Sequence, residues 1–224
     1  FSFHEEHQIK ISKKFLTWGW EIENNKKVIP IGNFKEIRKP PAHNPNGGVL
    51  KLDMALPRYG THLYSIPIGE QFLSYLNDQF MFVDNLSSET RSSLKIKIHH
   101  LDYGWSIKKR WFDKYEDIDI IEKTPFSKLI KDCRVFICTY NATTYLESFI
   151  WNIPTIIFWN PLHWELNSSS DKYFKLFRDL SVFHSTPKSA ASHLDDIWEN
   201  VDDWWFSDSL QKVVKEFCND FSKN

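Results

Sequence analysis

Residues 134–167 most constrain the fold, because they read as strand, loop, helix, strand and loop in immediate succession. Arg134-Val135-Phe136-Ile137-Cys138 is a short, largely apolar run, the pattern of a parallel strand buried on both faces. Residues 139–144 are small and polar and stand where a helix should begin, with Asn141 or Thr143 suited to its N-cap. Tyr145 to Trp151 continues as helix, Pro154 follows Ile153, and residues 155–159 form a second buried strand. In an open α/β sheet ligands lie outside the carboxyl ends of the strands. A polar loop that opens a helix there suits an anion. Glu147 falls about one turn into the helix, on or near the face of Thr143 and Thr144, and a carboxylate there suits a sugar diol better than a phosphate. A purely structural reading also fits: Asn141 or Thr143 caps the helix and Glu147 complements its dipole.

The chain around this unit repeats its rhythm. Val49 to Leu56 reads as the first strand and runs into Pro57-Arg58-Tyr59-Gly60, a βα-loop that offers Arg58 to a phosphate. It lacks the Gly-x-Gly-x-x-Gly spacing, so no dinucleotide fingerprint is present. Residues 68–82 have a helical period and residues 87–93 open or extend a helix. Leu94 to Ile98 suits a strand that ends in His99-His100-Leu101-Asp102-Tyr103-Gly104-Trp105, with Arg110 beyond. With parallel strands, this second motif shares an edge with residues 139–144. His100 and Asp102 are its candidates for catalysis. Adjacent histidines on an extended chain point to opposite faces, so one of His99 and His100 is expected to meet a phosphate or sugar and the other to be structural. Without further ligand spacing, no metal site and no cofactor are expected.

Residues 117–122 form a third strand and residues 126–130 a short helix. After the central unit come an amphipathic stretch over 163–180, a short edge strand at 181–184 and a helix from Pro187 to about Trp198. Trp204 and Trp205 close a turn, and residues 207–217 form the last helix. The alternation from 49 to 185 predicts an α/β fold: a Rossmann-like parallel sheet of about six strands with helices on both faces.

Residues 1–48 read as irregular, with Pro and Gly punctuating 39–48. They are expected to be a linker or the tail of a preceding amino-terminal domain, with 49–224 as the folded unit, and the start at Phe1 reads as that of a fragment. Trp18 and Trp20 flank Gly19 and suit a domain interface or an ordinary core equally. With 28 Lys plus Arg against 29 Asp plus Glu, a dedicated nucleic-acid surface is not expected. No run has transmembrane length and no signal peptide is visible, so the expectation is a cytoplasmic chain with at most peripheral membrane association. Cys133, Cys138 and Cys218 read as reduced core residues.

Three segments carry a resemblance. Ile98 to Trp105, Cys138 to Glu147, and Asn152-Ile153-Pro154 through His163-Trp164-Glu165-Leu166 resemble a family of transferases found with bacterial surface-polysaccharide genes. Thr17-Trp18-Gly19-Trp20 and Trp204-Trp205 fit it too, so the likeness covers nearly the whole chain. More distantly the layout is similar to the carboxyl-terminal half of GT-B glycosyltransferases and of ulosonic-acid and polyol-phosphate transferases. In those a His-Pro pair ends one strand, whereas here His99-His100 stands in its place.

The resemblance implies a nucleotide-activated sugar as donor and a glycan or lipid-linked acceptor. Tyr140 and Asn141 would be among the donor-binding residues, while Thr143, Thr144 and the amides of the 139–144 loop would take the phosphates. His100, Arg58 and Arg110 would offset their charge, and Glu147 would hold the ribose. It also implies that the acceptor site and the catalytic base belong to an amino-terminal half outside this chain. Two rival readings share the pattern: a sugar-nucleotide epimerase or hydrolase on the same architecture, and a non-catalytic module that docks through a Trp-rich surface onto a polysaccharide-assembly partner.

Overall fold

The structure, a computed structural model, describes residues 3–32, 41–60 and 67–222. Where the composition suggested an irregular leader, much of the chain is regular. Helix α1 (Phe3–Ile11) is followed by β1 (Phe15–Thr17) and β2 (Val28–Pro30), which pair in parallel as a small sheet of their own. The Thr17 hydroxyl donates to the Trp20 carbonyl. Gly19 has φ +151°, and a Cβ there would sit 3.1 Å from the carbonyl oxygen of Asn219, so the leader is held against the last helix of the chain. Local punctuation could not announce a contact made across 200 residues of sequence separation (219 − 19).

The Gly-Gly pair at 47–48, read above as linker, is the pinched entrance to the central strand. A Cβ on Gly47 would lie 2.5 Å from the Asp132 carbonyl oxygen, and one on Gly48 2.5 Å from that of Ser93. Residues 33–40, the rest of the expected linker, fall outside the described residues.

Six strands form the main sheet: β3 (Gly48–Leu52), β4 (Leu94–Lys97), β5 (Asp119–Ile121), β6 (Cys133–Cys138), β7 (Thr155–Phe158) and β8 (Phe183–His184). Their order is β5-β4-β3-β6-β7-β8, and every pairing is parallel. β3, β6 and β7 are buried almost throughout, which is why they read as continuous apolar runs. The chain starts in the middle, steps outward through β4 and β5, then returns to β6 and steps outward the other way. The topological switch therefore falls between β3 and β6, whose ends are in register at Leu52 and Cys138.

Right-handed crossovers then put the helices of the two branches on opposite faces. On the first branch lie α2 (Gln71–Asp84), α3 (Ser88–Ser92) and α4 (Ile107–Lys114), joined where Phe80 meets Trp111 edge-on at 4.8 Å. The short α5 (Phe126–Leu129) leads into β6. On the second branch α6 (Thr143–Ile150) and α7 (Ser168–Asp179) meet through Phe149 and Phe177. After β8 the chain returns to the first face as α8 (Pro187–Ile197), which packs on α2. It then crosses back through α9 (Val201–Trp205) to α10 (Asp208–Phe221), which packs on α6 and α7.

Trp204 and Trp205 do not close a turn; they end α9, and Trp205 is fully buried with its Nε1 donating to Asn152 Oδ1 at 2.8 Å. Of the 10 tryptophans in the chain, Trp105, Trp111, Trp151, Trp159, Trp164, Trp198 and Trp205 are buried. They fill the core, which removes most of the proposed Trp-rich docking surface. Cys133 and Cys138 are likewise buried and unbridged, and burial pushes their thiols up to about 12 and about 11. Among the described residues no helix is long and apolar enough to cross a membrane.

Candidate functional site

Four loops leave the carboxyl ends of β3, β4, β6 and β7; three meet at one side chain and the fourth reaches it through a neighbouring ring. Tyr75, on α2, is 2% exposed. Its hydroxyl accepts from the Met54 backbone N–H (2.7 Å), in the loop after β3, and is 2.6 Å from Thr139 Oγ1, in the loop after β6. Its ring stacks on Phe72 at 5.4 Å, Phe72 packs on Trp105 from the loop after β4, and Trp164 from the loop after β7 meets Tyr75 edge-on. The polar loops at the switch point are thus anchored from below by a shared hub.

Beside this hub lies a buried ion pair that the sequence reading did not single out. Lys51 is fully buried and Asp53 is 3% exposed. The Lys51 ammonium donates to Asp53 Oδ1, and Trp111 Nε1 donates to Asp53 Oδ2 at 2.9 Å. Lys51 also lies over the Trp111 ring, 5.0 Å from its centroid. Burial lowers the pKa of Lys51, and the charge of Asp53 and its hydrogen bond oppose that fall. Burial, then the charge of Asp53, holds the Tyr75 phenol well above its ordinary value. The signal was present: two charged residues inside Val49-Leu50-Lys51-Leu52-Asp53-Met54, a run otherwise fit for a strand buried on both faces.

The loop after β6 departs from its expected capping. Ala142, not Asn141 or Thr143, is the N-cap of α6, and no side chain caps the helix. The Asn141 Oδ1 is instead taken by the Tyr145 hydroxyl at 3.0 Å. Thr143 is exposed, Thr144 is half-buried with Oγ1 3.6 Å from Cys138 Sγ, and Tyr140 is half-buried. Burial raises the Tyr140 phenol, and Asp53 and Glu147 push it further in the same direction. Glu147 is 3% exposed, so it sits beneath the loop rather than on its rim. It follows Thr143 by four residues on α6, as expected, but is buried where Thr143 is exposed.

The loop after β4 also differs from its reading. β4 ends at Lys97, so His99 and His100 are not on an extended strand and do not diverge; their rings stack at 4.4 Å. Both are exposed, and His99 Nδ1 accepts from the Leu101 N–H at 3.0 Å. Asp102, a candidate for catalysis, is an organiser of backbone. Its carboxylate accepts from the N–H groups of Gly104 (3.1 Å), Ser106 (2.8 Å) and Ile107 (2.7 Å) at the start of α4. Slight burial would raise its pKa, but these N–H groups outweigh it and hold the carboxyl below the usual range.

Arg58 and Arg110 are both brought to this loop. Arg58 Nη1 donates to the Gly104 carbonyl (3.3 Å) and its guanidinium stacks over Trp105, while Arg110 Nε donates to the Trp105 carbonyl at 2.8 Å. In the loop after β7, His163 is buried with its pKa lowered by burial, and its Nδ1 has no hydrogen-bond partner among the described residues.

Two hollows open near these loops. One, of about 350 Å³, is lined by Asn141 and Thr143 together with Trp18, Trp20 and Glu165. The second, of about 950 Å³, lies beside it, shares Trp20, Asn167 and Phe221 with it, and is lined further by Glu21, Glu23 and Asp220. Trp18 and Trp20, open between core and interface on sequence, are half-buried and form a wall of these hollows.

A wholly parallel sheet with its switch between β3 and β6 and polar loops gathered at that edge defines a Rossmann-like α/β domain. The chain belongs to the LIC12162 family of transferases, whose model matches residues 1–224. No curated protein matches it significantly. Two solved structures are similar to it at a distance. One is the spinosyn forosaminyltransferase SpnP, at 12% identity and TM-score 0.41, over 84% of this chain and 43% of that one. The other is WaaG, a glycosyltransferase involved in lipopolysaccharide biosynthesis, at 10% identity and TM-score 0.38, over 83% of this chain and 56% of that one. The chain thus spans about half the length of the solved structures it matches.

Proposed function

We propose that this chain is the donor-binding half of a GT-B-like glycosyltransferase of bacterial surface-polysaccharide synthesis, working in the cytoplasm on a nucleotide-activated sugar and a glycan or lipid-linked acceptor. One observation carries the reading: Asn141 and Thr143, at a helix start that no side chain caps among the described residues, line a solvent-open hollow of about 350 Å³ walled by Trp18 and Trp20. A small-molecule site has this size and this mix of apolar wall and few polar groups.

In this reading the donor diphosphate lies at the amino end of α6, where the helix dipole favours negative charge. Thr143, Thr144 and the Asn141 amide contact its oxygens, Tyr140 backs them, and the base rests on an indole face. Arg58 and Arg110, bonded to the loop after β4, and His100 on that loop offset charge as the diphosphate leaves. Asp102 serves by holding that loop in shape. Transfer then depends on positioning the sugar against its acceptor and stabilising the leaving phosphate.

The test is a thermal-shift screen of the chain against UDP, GDP, TDP, CDP and CMP, with and without divalent metal. A nucleotide held well above its dissociation constant raises Tm by mass action. The expected result is a shift with one base and not the others. A flat screen across all five removes the donor reading from this chain.

A further inference from the structure

The larger hollow has a chemistry of its own. It holds about 950 Å³ between the Trp20 region, the start of α7 and the end of α10. Its wall carries the carboxylates of Glu5, Glu21, Glu23 and Asp220 against the ammonium of Lys172, which itself lies 3.7 Å from Asp220. Such a lining repels phosphate, nucleotides and acidic sugars. It is nonetheless not an apolar groove. Carboxylates and the Asn219 amide accept and donate hydrogen bonds in number, and the Trp20 indole adds a flat apolar face. A ring with hydroxyls around its rim and C–H bonds on its face satisfies both.

The hollow adjoins the smaller one, because Trp20, Asn167 and Phe221 line both. Its shape is fixed by the leader: Gly19 packs against the carbonyls of Asn219 and Asp220, closing the groove along α10.

We infer that this groove binds an uncharged or amino-bearing saccharide, and that the saccharide is the acceptor laid beside the donor. Binding follows from the lining alone; the acceptor role rests on the donor reading given above. Part of acceptor recognition would then lie in this chain, in the strap from Trp18 to Glu23.

Isothermal titration of the full chain, without nucleotide, tests this with four trisaccharide probes: maltotriose, tri-N-acetylchitotriose, its de-N-acetylated form, and trigalacturonate. The expected result is binding of at least one of the first three and none of trigalacturonate. Trp20→Leu is expected to weaken that binding roughly tenfold or more. Because Trp20→Leu can disturb the strap, the exposed pair Glu21→Gln with Glu23→Gln serves as a second variant, expected to weaken the neutral probes and to relieve the exclusion of trigalacturonate. Absence of binding by all four probes overturns the inference. Trigalacturonate binding as tightly as maltotriose does so too, and so does affinity unchanged in the Glu21/Glu23 variant. Saccharide binding in a chain whose nucleotide screen is flat upholds the groove and removes only its acceptor role.

Discussion

Tyr75 and Thr139 share a hydrogen bond of 2.6 Å whose direction is fixed by what surrounds it. Thr139 Oγ1 donates its single proton to the Leu52 carbonyl at 2.7 Å, so the Tyr75 hydroxyl must donate to Thr139 while accepting from the Met54 N–H. Four buried groups, the Met54 N–H, the Tyr75 and Thr139 hydroxyls and the Leu52 carbonyl, are thereby satisfied in sequence. The result is a rigid seat under the switch point, above which the loops after β3 and β6 open.

Tyr75→Phe removes the middle of this chain and leaves the Met54 N–H and one Thr139 lone pair without partners. The expected cost is about 1–3 kcal/mol of stability, the scale of buried groups left unsatisfied. Thr139→Val should cost a similar amount, and the double variant less than the sum, because the two residues share one network. Urea denaturation of the two single variants and the double variant measures this. Strict additivity would mean that the two hydroxyls act independently.

The Lys51–Asp53 pair makes a sharper prediction. Among the described residues, Lys51→Met leaves a buried carboxylate with the Trp111 N–H as its remaining partner, and breaking a buried pair from one side costs about 3–5 kcal/mol. Replacing both charges, Lys51→Met with Asp53→Leu, should recover part of that loss, because no uncompensated charge remains. Chemical denaturation of the single and double variants decides the matter. A double variant weaker than Lys51→Met would show that the pair is stabilising beyond its own compensation.

The centre of the sheet was legible because β3, β6 and β7 are runs buried on both faces, and such runs need no partner to be recognised. Cys133–Cys138 and Thr155–Phe158 came within a residue of their predicted bounds for that reason. The leader was not legible. Gly19 and Gly47-Gly48 looked like punctuation, yet each is a glycine because another segment's backbone lies within van der Waals contact. The site was half legible. Residue type and position located the loops, but side-chain direction did not follow from them: Glu147 turned inward, Asp102 turned to the backbone, and the two histidines stacked together. The buried hub of Lys51, Asp53 and Tyr75 was missed because periodicity assigns such positions to the core and gives no account of their polar atoms.

Stability should also depend on pH through β8 and α8. Burial, with the nearby charge of His184 adding, lowers the pKa of His193 to about 4. His184 is lowered by burial too, against the opposing effect of its bond to the Ser181 carbonyl. That carbonyl can only accept, so Nε2 of His184 carries the proton and Nδ1 accepts from Ser189 Oγ at 2.8 Å. Both rings are therefore held neutral in the fold and charge more readily once unfolded. Between about pH 6.5 and 4 the unfolded chain binds more protons, so stability is fully present above 6.5 and falls as pH drops through that window. His193→Phe should flatten the fall in a series of Tm measurements across it. An unchanged slope would place the acid sensitivity elsewhere.

The last prediction concerns Glu147, which the sequence placed on a ribose and the fold buries under the loop after β6. On the donor reading, a carboxylate buried there would act on a ligand through the loop above it, where Tyr140, next to Asn141, has its phenol raised by burial first and slightly by Glu147. With the nucleotide that the thermal-shift screen selects, Glu147→Ala should weaken binding by about 1–3 kcal/mol, the scale of a lost charge-assisted contact. If the effect passes through the loop, Glu147→Ala should lower Tm without ligand as well. Glu147→Gln, which keeps shape and hydrogen-bonding capacity, should then retain most of the affinity. If instead the carboxylate reaches the ribose itself after a rearrangement on binding, Glu147→Gln should lose nearly as much as Glu147→Ala while Tm without ligand stays put. Titration calorimetry paired with a melting curve separates these, and an affinity unchanged in both variants would take Glu147 out of the site altogether.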